Sequence, residues 1–180
     1  MGIEFAILLE IYEWHRPWLD ACMKALTSLG NGGWFWIVLG LLLLCFAKTR
    51  KAGFGILLSL FLGLLLGNLL LKNLVARERP CWLMPELPLL IAVPQDYSFP
   101  SGHTLASVEA ALMLYLHHRR WGVLAGLLAL GIAFSRLYLF VHFPTDVLAG
   151  ALLALFNVWL VHRKLQPALA AFAEKRRSRT

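Results

Sequence analysis

His142 and Asp146 stand four residues apart, an interval that sets two side chains across one helical turn. A carboxylate beside an imidazole fixes its tautomer and stabilises the imidazolium, as a nucleophilic or proton-transferring histidine requires. Just upstream, Ser135-Arg136 contributes a cation. A second stretch, Phe99-Pro100-Ser101-Gly102-His103, carries another histidine behind a Ser-Gly pair. At a helix start such a pair exposes backbone N–H groups at the positive end of the helix dipole, and Gly102 lets an anion approach closely. A third stretch holds Lys72 and Arg79, seven residues apart and followed by Pro80. On one helix this is two turns, ~10.5 Å along the axis, so both cations share a face before proline ends it.

Each stretch alone has an ordinary explanation: a snorkelling helix end for Lys72 and Arg79, a structural histidine for His103. Together, two imidazoles, one carboxylate and three cations suit phosphoryl transfer, which needs in-line positioning and charge neutralisation. A covalent intermediate on histidine would split that displacement into two easier steps. His103, His142 and Asp146 also form a two-histidine, one-carboxylate set, but three nearby cations repel a divalent ion. No metal and no cofactor is therefore expected.

The elements that must position these groups are hydrophobic. The 180 residues fit one domain; 59% are hydrophobic and 15% charged, with a mean hydropathy of +0.69, against about 25% charged residues in soluble domains. The bilayer must be part of the solvent. The expected fold is an all-α, polytopic membrane helical bundle of about five transmembrane helices, spanning 34–47, 53–71, 104–116, 121–141 and 143–161. It is preceded by N-terminal interfacial amphipathic helices at 3–14 and 17–29. A spanning reading of those would bury Glu10, Glu13, Arg16 and Asp20, at roughly 2.5–3.5 kcal/mol for each Arg or Asp at the bilayer centre. The chain thus divides into interfacial helices (1–30), a transmembrane bundle (33–162) and a basic cytoplasmic tail (163–180). Its start does not have the pattern of a cleavable signal.

Eleven of the seventeen Lys and Arg residues fall between the first and second spans, between the third and fourth, or after the fifth. The positive-inside bias puts those positions in the cytoplasm of a cell-membrane protein. Arg16, Lys24, Lys72, Arg77, Arg79 and Arg136 remain on the opposite side, where a cationic cluster asks for an anion. The net charge of +7 suits anionic headgroups and needs no nucleic-acid partner. Cys22, Cys45 and Cys81 read as free thiols. Trp14, Trp18, Trp34, Trp36 and Trp121 read as headgroup anchors. His15, His117, His118 and His162 read as bystanders. Glu109 reads equally as part of a substrate path or as the partner of a polar neighbour. Arg77 and Glu78 read first as a local ion pair, and second as auxiliary site residues.

Lys72-x6-Arg79-Pro80, Pro100-Ser101-Gly102-His103 and Ser135-Arg136-x5-His142-x3-Asp146 strongly resemble, in order and spacing, the three signatures of the type 2 phosphatidic acid phosphatase family. The likeness covers about residues 17–165. It implies an integral-membrane lipid phosphatase in which His142 attacks phosphorus, Asp146 orients it, and His103 protonates the leaving oxygen and later helps activate water. Lys72, Arg79, Ser101, Gly102 and Arg136 would hold the phosphate oxygens. The partners implied are a membrane lipid phosphate and the bilayer; no obligate protein partner is implied. Analogy within the family offers undecaprenyl pyrophosphate, phosphatidylglycerophosphate and phosphatidic acid, with the first preferred for an outward site on a compact chain. The short third span should set His103 below the outer headgroup plane, and the apolar loop within 81–98 has the composition to cover it. A lipid phosphotransferase and a non-enzymatic binder or transporter of anionic lipids are the competing expectations.

Overall fold

The computed structural model describes residues 2–169; the distal part of the expected basic tail, 170–180, lies outside them. The described residues are helical, with no strand: α1 (Ile3–Tyr12), α2 (Pro17–Gly30), α3 (Trp34–Leu44), α4 (Arg50–Gly63), α5 (Lys72–Val75), α6 (Pro80–Leu83), α7 (Gly102–His117), α8 (Arg119–Tyr138) and α9 (Pro144–Leu160). A π-helical segment, Leu64–Leu71, joins α4 to α5, and another, Val161–Leu165, extends α9. An all-helical membrane bundle is thus the architecture.

Among the described residues, four stretches are long and apolar enough to cross a bilayer: Pro17–Leu44, Arg50–Leu83, Arg119–Tyr138 and Pro144–Leu169. The first is not one straight rod. Gly32 and Gly33 adopt left-handed backbone angles (φ 58° and 69°) and break it into α2 and α3, a conformation glycine accepts without a steric penalty. Helix α7 is absent from the four because it has only 16 residues, ~24 Å of helix against a hydrocarbon core of ~30 Å. It is also the most enclosed helix, packed against α4, α8 and α9, with Leu105, Ala110, Ala111, Met113 and Leu114 in the core.

Lipid tails are as apolar as leucine, so helices in a membrane associate through close packing of small residues. Glycines provide that packing here. A Cβ at Gly53 would lie 2.6 Å from the Gly40 carbonyl oxygen, so α3 and α4 touch backbone to backbone. A Cβ at Gly150 would lie 2.7 Å from the Ser101 carbonyl oxygen, so α9 presses on the start of α7. The outer surface is apolar instead: Leu41, Leu42, Phe61, Leu127, Leu130, Leu152, Leu155 and Trp159 are exposed, as a lipid-facing surface requires.

A second core lies at the other end of the bundle. Leu8 and Ile11 of α1 pack with Tyr138–Val141 and Phe143, and Met84, Leu87, Leu89 and Leu90 of the proline-rich loop close over them. One expectation is corrected. Trp36 is not a headgroup anchor: it is 1% exposed and its indole N–H donates to Ser107 Oγ at 2.9 Å. Trp14, Trp18, Trp34 and Trp121 are exposed.

The α9–α7 contact yields a stability prediction. Gly150→Val should destabilise the fold by about 1–3 kcal/mol through overpacking and lower the thermal midpoint in detergent. Gly126→Val, whose Cβ meets nothing within 4 Å, should leave that midpoint nearly unchanged.

Candidate active site

The loop between α8 and α9 carries His142, and α9 opens two residues later with Pro144 in its first turn. Proline suits that position because its missing N–H would have no intrahelical partner. Asp146 lies at the third helical position, where its Oδ2 accepts the Phe143 backbone N–H at 2.8 Å. The cap fixes the carboxylate. Ser98 from the loop before α7 donates to the same oxygen at 2.5 Å and lies 3.4 Å from His142 Nδ1. His142 Nδ1 itself is 3.6 Å from Asp146 Oδ2, longer than a hydrogen bond. Ser98 therefore joins the pair that sequence spacing treats as a direct contact.

The other face of the imidazole fixes the tautomer. Arg79 Nη1 is 3.1 Å from His142 Nε2. A guanidinium has donors only, so Nε2 accepts and the ring proton belongs on Nδ1, toward Ser98 and Asp146. Burial drives the imidazole down to about 3, with Arg79 and Arg136 adding to the shift and Asp146 opposing it. At neutral pH the ring is uncharged, and its Nε2 lone pair is the one directed at the cations.

Lys72 and Arg79 do not share a helix face. Helix α5 ends at Val75, Ala76 turns left-handed (φ 48°), and Arg79 stands in extended backbone as the N-cap of α6. Pro80 opens that short helix rather than stopping the preceding one. The two cations converge all the same, on an acid that spacing did not reveal. Asp96 Oδ2 pairs with Lys72 Nζ, and Asp96 Oδ1 accepts from Arg79 Nη2 at 2.8 Å. Arg79 also donates to the carbonyls of Asp96, Val141 and Tyr97 at 2.6, 2.7 and 3.2 Å, so its fork is held rigidly. Burial would raise the Asp96 carboxyl, but Lys72 and Arg79 hold it at about 2. Asp96 is thus a carboxylate lying across two cations, with its own side chain 57% exposed.

Lys72, Arg79, Asp96, Gly102, His103, Glu109, Arg136 and His142 line one cavity of about 770 Å³. Both imidazoles and all three predicted cations therefore face a common space. Its other walls are Ile37 of α3, Leu57, Leu60 and Phe61 of α4 with Leu64 just beyond, and Ile91–Pro94 of the loop, which covers it. His103 Nε2 meets Asn31 Oδ1 at 3.0 Å. Arg136 donates to Thr27 Oγ1, and its Nε has no partner among the described residues.

Ser101 and Asp146 stand behind the cavity wall. Ser101 Oγ accepts from the Thr104 N–H at 3.5 Å and from the Thr104 hydroxyl at 3.0 Å, capping α7. Its N–H donates to the Asp146 carbonyl at 3.0 Å, tying the starts of α7 and α9 together. A Cβ at Gly102 would lie 2.7 Å from Asn68 Oδ1 in the π-helical segment, so a larger residue there would have to displace that side chain. Glu109 Oε1 accepts from Asn157 at 2.7 Å, while Oε2 has no partner among the described residues; Glu109 pairs with a polar neighbour and also lines the cavity. Arg77 and Glu78 are not a local ion pair: Arg77 bonds Glu4 and Asp146. Asp96, Ser98, Asn31 and Thr27 went unread because lone polar residues in loops and interfacial helices carry no spacing signal.

Comparison with known proteins identifies the family. The PAP2 superfamily model matches residues 52–169. An undecaprenyl-diphosphatase of Sulfolobus acidocaldarius is 37% identical over 136 residues, covering 75% of this chain and 65% of the relative, so the chain spans a little under two thirds of that protein's length. Phosphatidylglycerophosphatase B of Bacillus subtilis is 32% identical over 158 residues, covering 81% of this chain and 75% of the relative. The crystal structure of a transmembrane PAP2-type phosphatidylglycerolphosphate phosphatase from Bacillus subtilis superposes with a TM-score of 0.71 at 29% identity, over 94% of this chain and 84% of that one.

Because Asp96 lies across the two cations, an incoming phosphate competes with its carboxylate. Asp96→Asn should therefore strengthen competitive inhibition by inorganic phosphate, on the order of tenfold for one lost charged contact of ~1.4 kcal/mol. Weaker inhibition in that variant would mean that Asp96 instead orients Lys72 and Arg79 for the anion.

Proposed function

The chain belongs to the PAP2 superfamily, and from that premise we propose that it is a metal-independent lipid phosphatase working through a phosphohistidine. The observation that carries this reading is the shared cavity of His103, His142, Lys72, Arg79 and Arg136. His142 Nε2 attacks phosphorus, the bond from phosphorus to the lipid-side oxygen breaks, and His103 protonates that oxygen. Water, deprotonated by His103, then displaces His142 and releases inorganic phosphate. Asp146 and Ser98 stabilise the imidazolium character that develops on His142, and the three cations balance the charge on the equatorial oxygens. The start of α7 at Gly102, which Ser101 caps from behind, adds the helix dipole.

A lipid fits the cavity better than a soluble ester. Its wall toward α3 and α4 is apolar (Ile37, Leu57, Leu60, Phe61 and Leu64), so a hydrocarbon tail has a favourable surface beside the phosphate pocket. The shortness of α7 supports a site below the headgroup plane. We assign the site to the extracytoplasmic face of the cell membrane, with α1 and α2 near the interface and the basic C-terminal tail in the cytoplasm, on the bias of Lys and Arg. Undecaprenyl pyrophosphate is the preferred substrate, supported by the relative of 37% identity. Phosphatidylglycerophosphate is the second reading, supported by the phosphatidylglycerophosphatase relative and the superposed structure.

The test is phosphate release from purified undecaprenyl pyrophosphate, phosphatidylglycerophosphate and phosphatidic acid in detergent, without added metal. His142→Ala should abolish turnover, His103→Ala should lose most of it, and Asp146→Asn should fall by ~10⁴-fold, as in hydrolase triads. Undecaprenyl pyrophosphate should give the highest kcat/KM. Full activity in His142→Ala would contradict the phosphohistidine, and a higher kcat/KM on a glycerolipid would overturn the substrate preference.

A further inference from the structure

We propose that Arg77 and Glu4 are positioning residues of the active site: an ion-pair clamp, reaching in from the N-terminal helix, that sets the Asp146 carboxylate for His142. The inference rests on the reading of His142 as nucleophile.

Neither residue lies on the cavity wall; both act from behind it. Arg77 Nη1 donates to Asp146 Oδ1 at 2.7 Å and to Thr145 Oγ1 at 2.7 Å, and its Nη2 donates to Glu4 Oε2 at 2.6 Å. The other oxygen of Glu4 accepts from the Thr145 hydroxyl at 2.7 Å and from its backbone N–H at 3.1 Å. The guanidinium carbon also sits 4.1 Å over the Phe143 ring, a favourable place for a cation. Arg77 is thus held from three sides. Asp146 in turn has its two oxygens assigned: Oδ1 to Arg77, and Oδ2 to Ser98, the Phe143 N–H and the side of His142.

A fully buried carboxylate costs several kcal/mol unless it is paired. Asp146 is 0% exposed, and Arg77 is the cation bonded to it; Arg79 and Arg136 face the cavity instead. Without Arg77, Oδ1 would lose its charged donor, and the carboxylate would be free to rotate away from its contacts with Ser98 and His142. Glu4 holds the guanidinium edge that faces away from Asp146, so the first turn of α1 reaches the chemistry through one bridging side chain. The backbone agrees with this arrangement: the Ser98 N–H donates to the Arg77 carbonyl at 2.8 Å, so a direct main-chain bond ties the two partners of Asp146 to each other.

The rival account is a staple that merely docks α1. A double-mutant cycle in detergent separates them, reading kcat and KM for phosphate release with Arg77→Ala, Arg77→Lys, Glu4→Gln, Asp146→Asn and the pairwise combinations. The clamp predicts that Arg77→Ala lowers kcat on the order of 10–100-fold, as loss of outer partners of ligating groups does, with KM changed by less than about twofold because no phosphate contact is lost. Arg77→Lys, or guanidinium added to Arg77→Ala, should restore part of that kcat. In the Asp146→Asn background Arg77→Ala should add little further loss, and Glu4→Gln should add little to Arg77→Ala, since members of one network are not additive. Should Arg77→Ala fail to fold, Arg77→Lys and Glu4→Gln complete the cycle with Asp146→Asn. Equal losses with and without Asp146, and no rescue by guanidinium, would overturn the clamp while leaving the phosphohistidine reading intact. Full activity in His142→Ala, run alongside, would instead remove the premise.

Discussion

Three cations, Lys72, Arg79 and Arg136, are buried together inside a helical bundle built for lipid. Moving one such charge out of water costs several kcal/mol after relaxation, and like charges add to the cost. Every feature of the site answers this constraint. Asp96 bridges Lys72 and Arg79, three backbone carbonyls hold the rest of the Arg79 fork, and Thr27 receives Arg136. The positive excess that remains leaves the cavity suited to an anion, and it adds to the burial that holds the His142 imidazole uncharged.

Irregular backbone is tolerated at membrane depth only where it is buried in protein or lines a cavity, and the helix breaks of this chain gather around one cavity. The breaks are at Gly32–Gly33, after Val75, through the loop ending at Ser101, and between Tyr138 and Pro144. Each supplies or supports a functional group: Asn31 at the first, Arg77 and Arg79 at the second, Asp96, Ser98 and Ser101 at the third, His142 at the fourth. The short α7 places its N-terminus at the meeting point, and small residues let α4, α8 and α9 close around it. Helix ends and the loops beside them, more than helix faces, supply the candidate groups.

That division also accounts for what could be read from the sequence. The bundle was legible because hydropathy directly measures the cost of burying a segment in lipid. His142, Asp146, Pro144 and the Ser101–Gly102 helix start were legible because local spacing fixes local geometry. Helical periodicity predicts a shared face for Lys72 and Arg79, and it fails where Ala76 leaves the helix. Asp96 and Ser98 were not legible at all, since their roles depend on how a proline-rich loop folds back over α5 and α9. Glu4 and Arg77 lie 73 residues apart, and Trp36 faces the core rather than the interface; both are products of tertiary packing that periodicity does not encode.

The central claim is that the His142 ring nitrogen facing the cations is the atom that receives the phosphoryl group. Rapid quench into alkaline detergent during turnover of a lipid substrate labelled in its terminal phosphate, followed by peptide mapping at alkaline pH, tests it directly. The account predicts acid-labile, alkali-stable label on the peptide containing His142, absent from Lys72–Arg79 and reduced to background in His142→Ala. Label confined to His103, or turnover with no phosphoprotein at any quench time while the phosphate product accumulates, would contradict it.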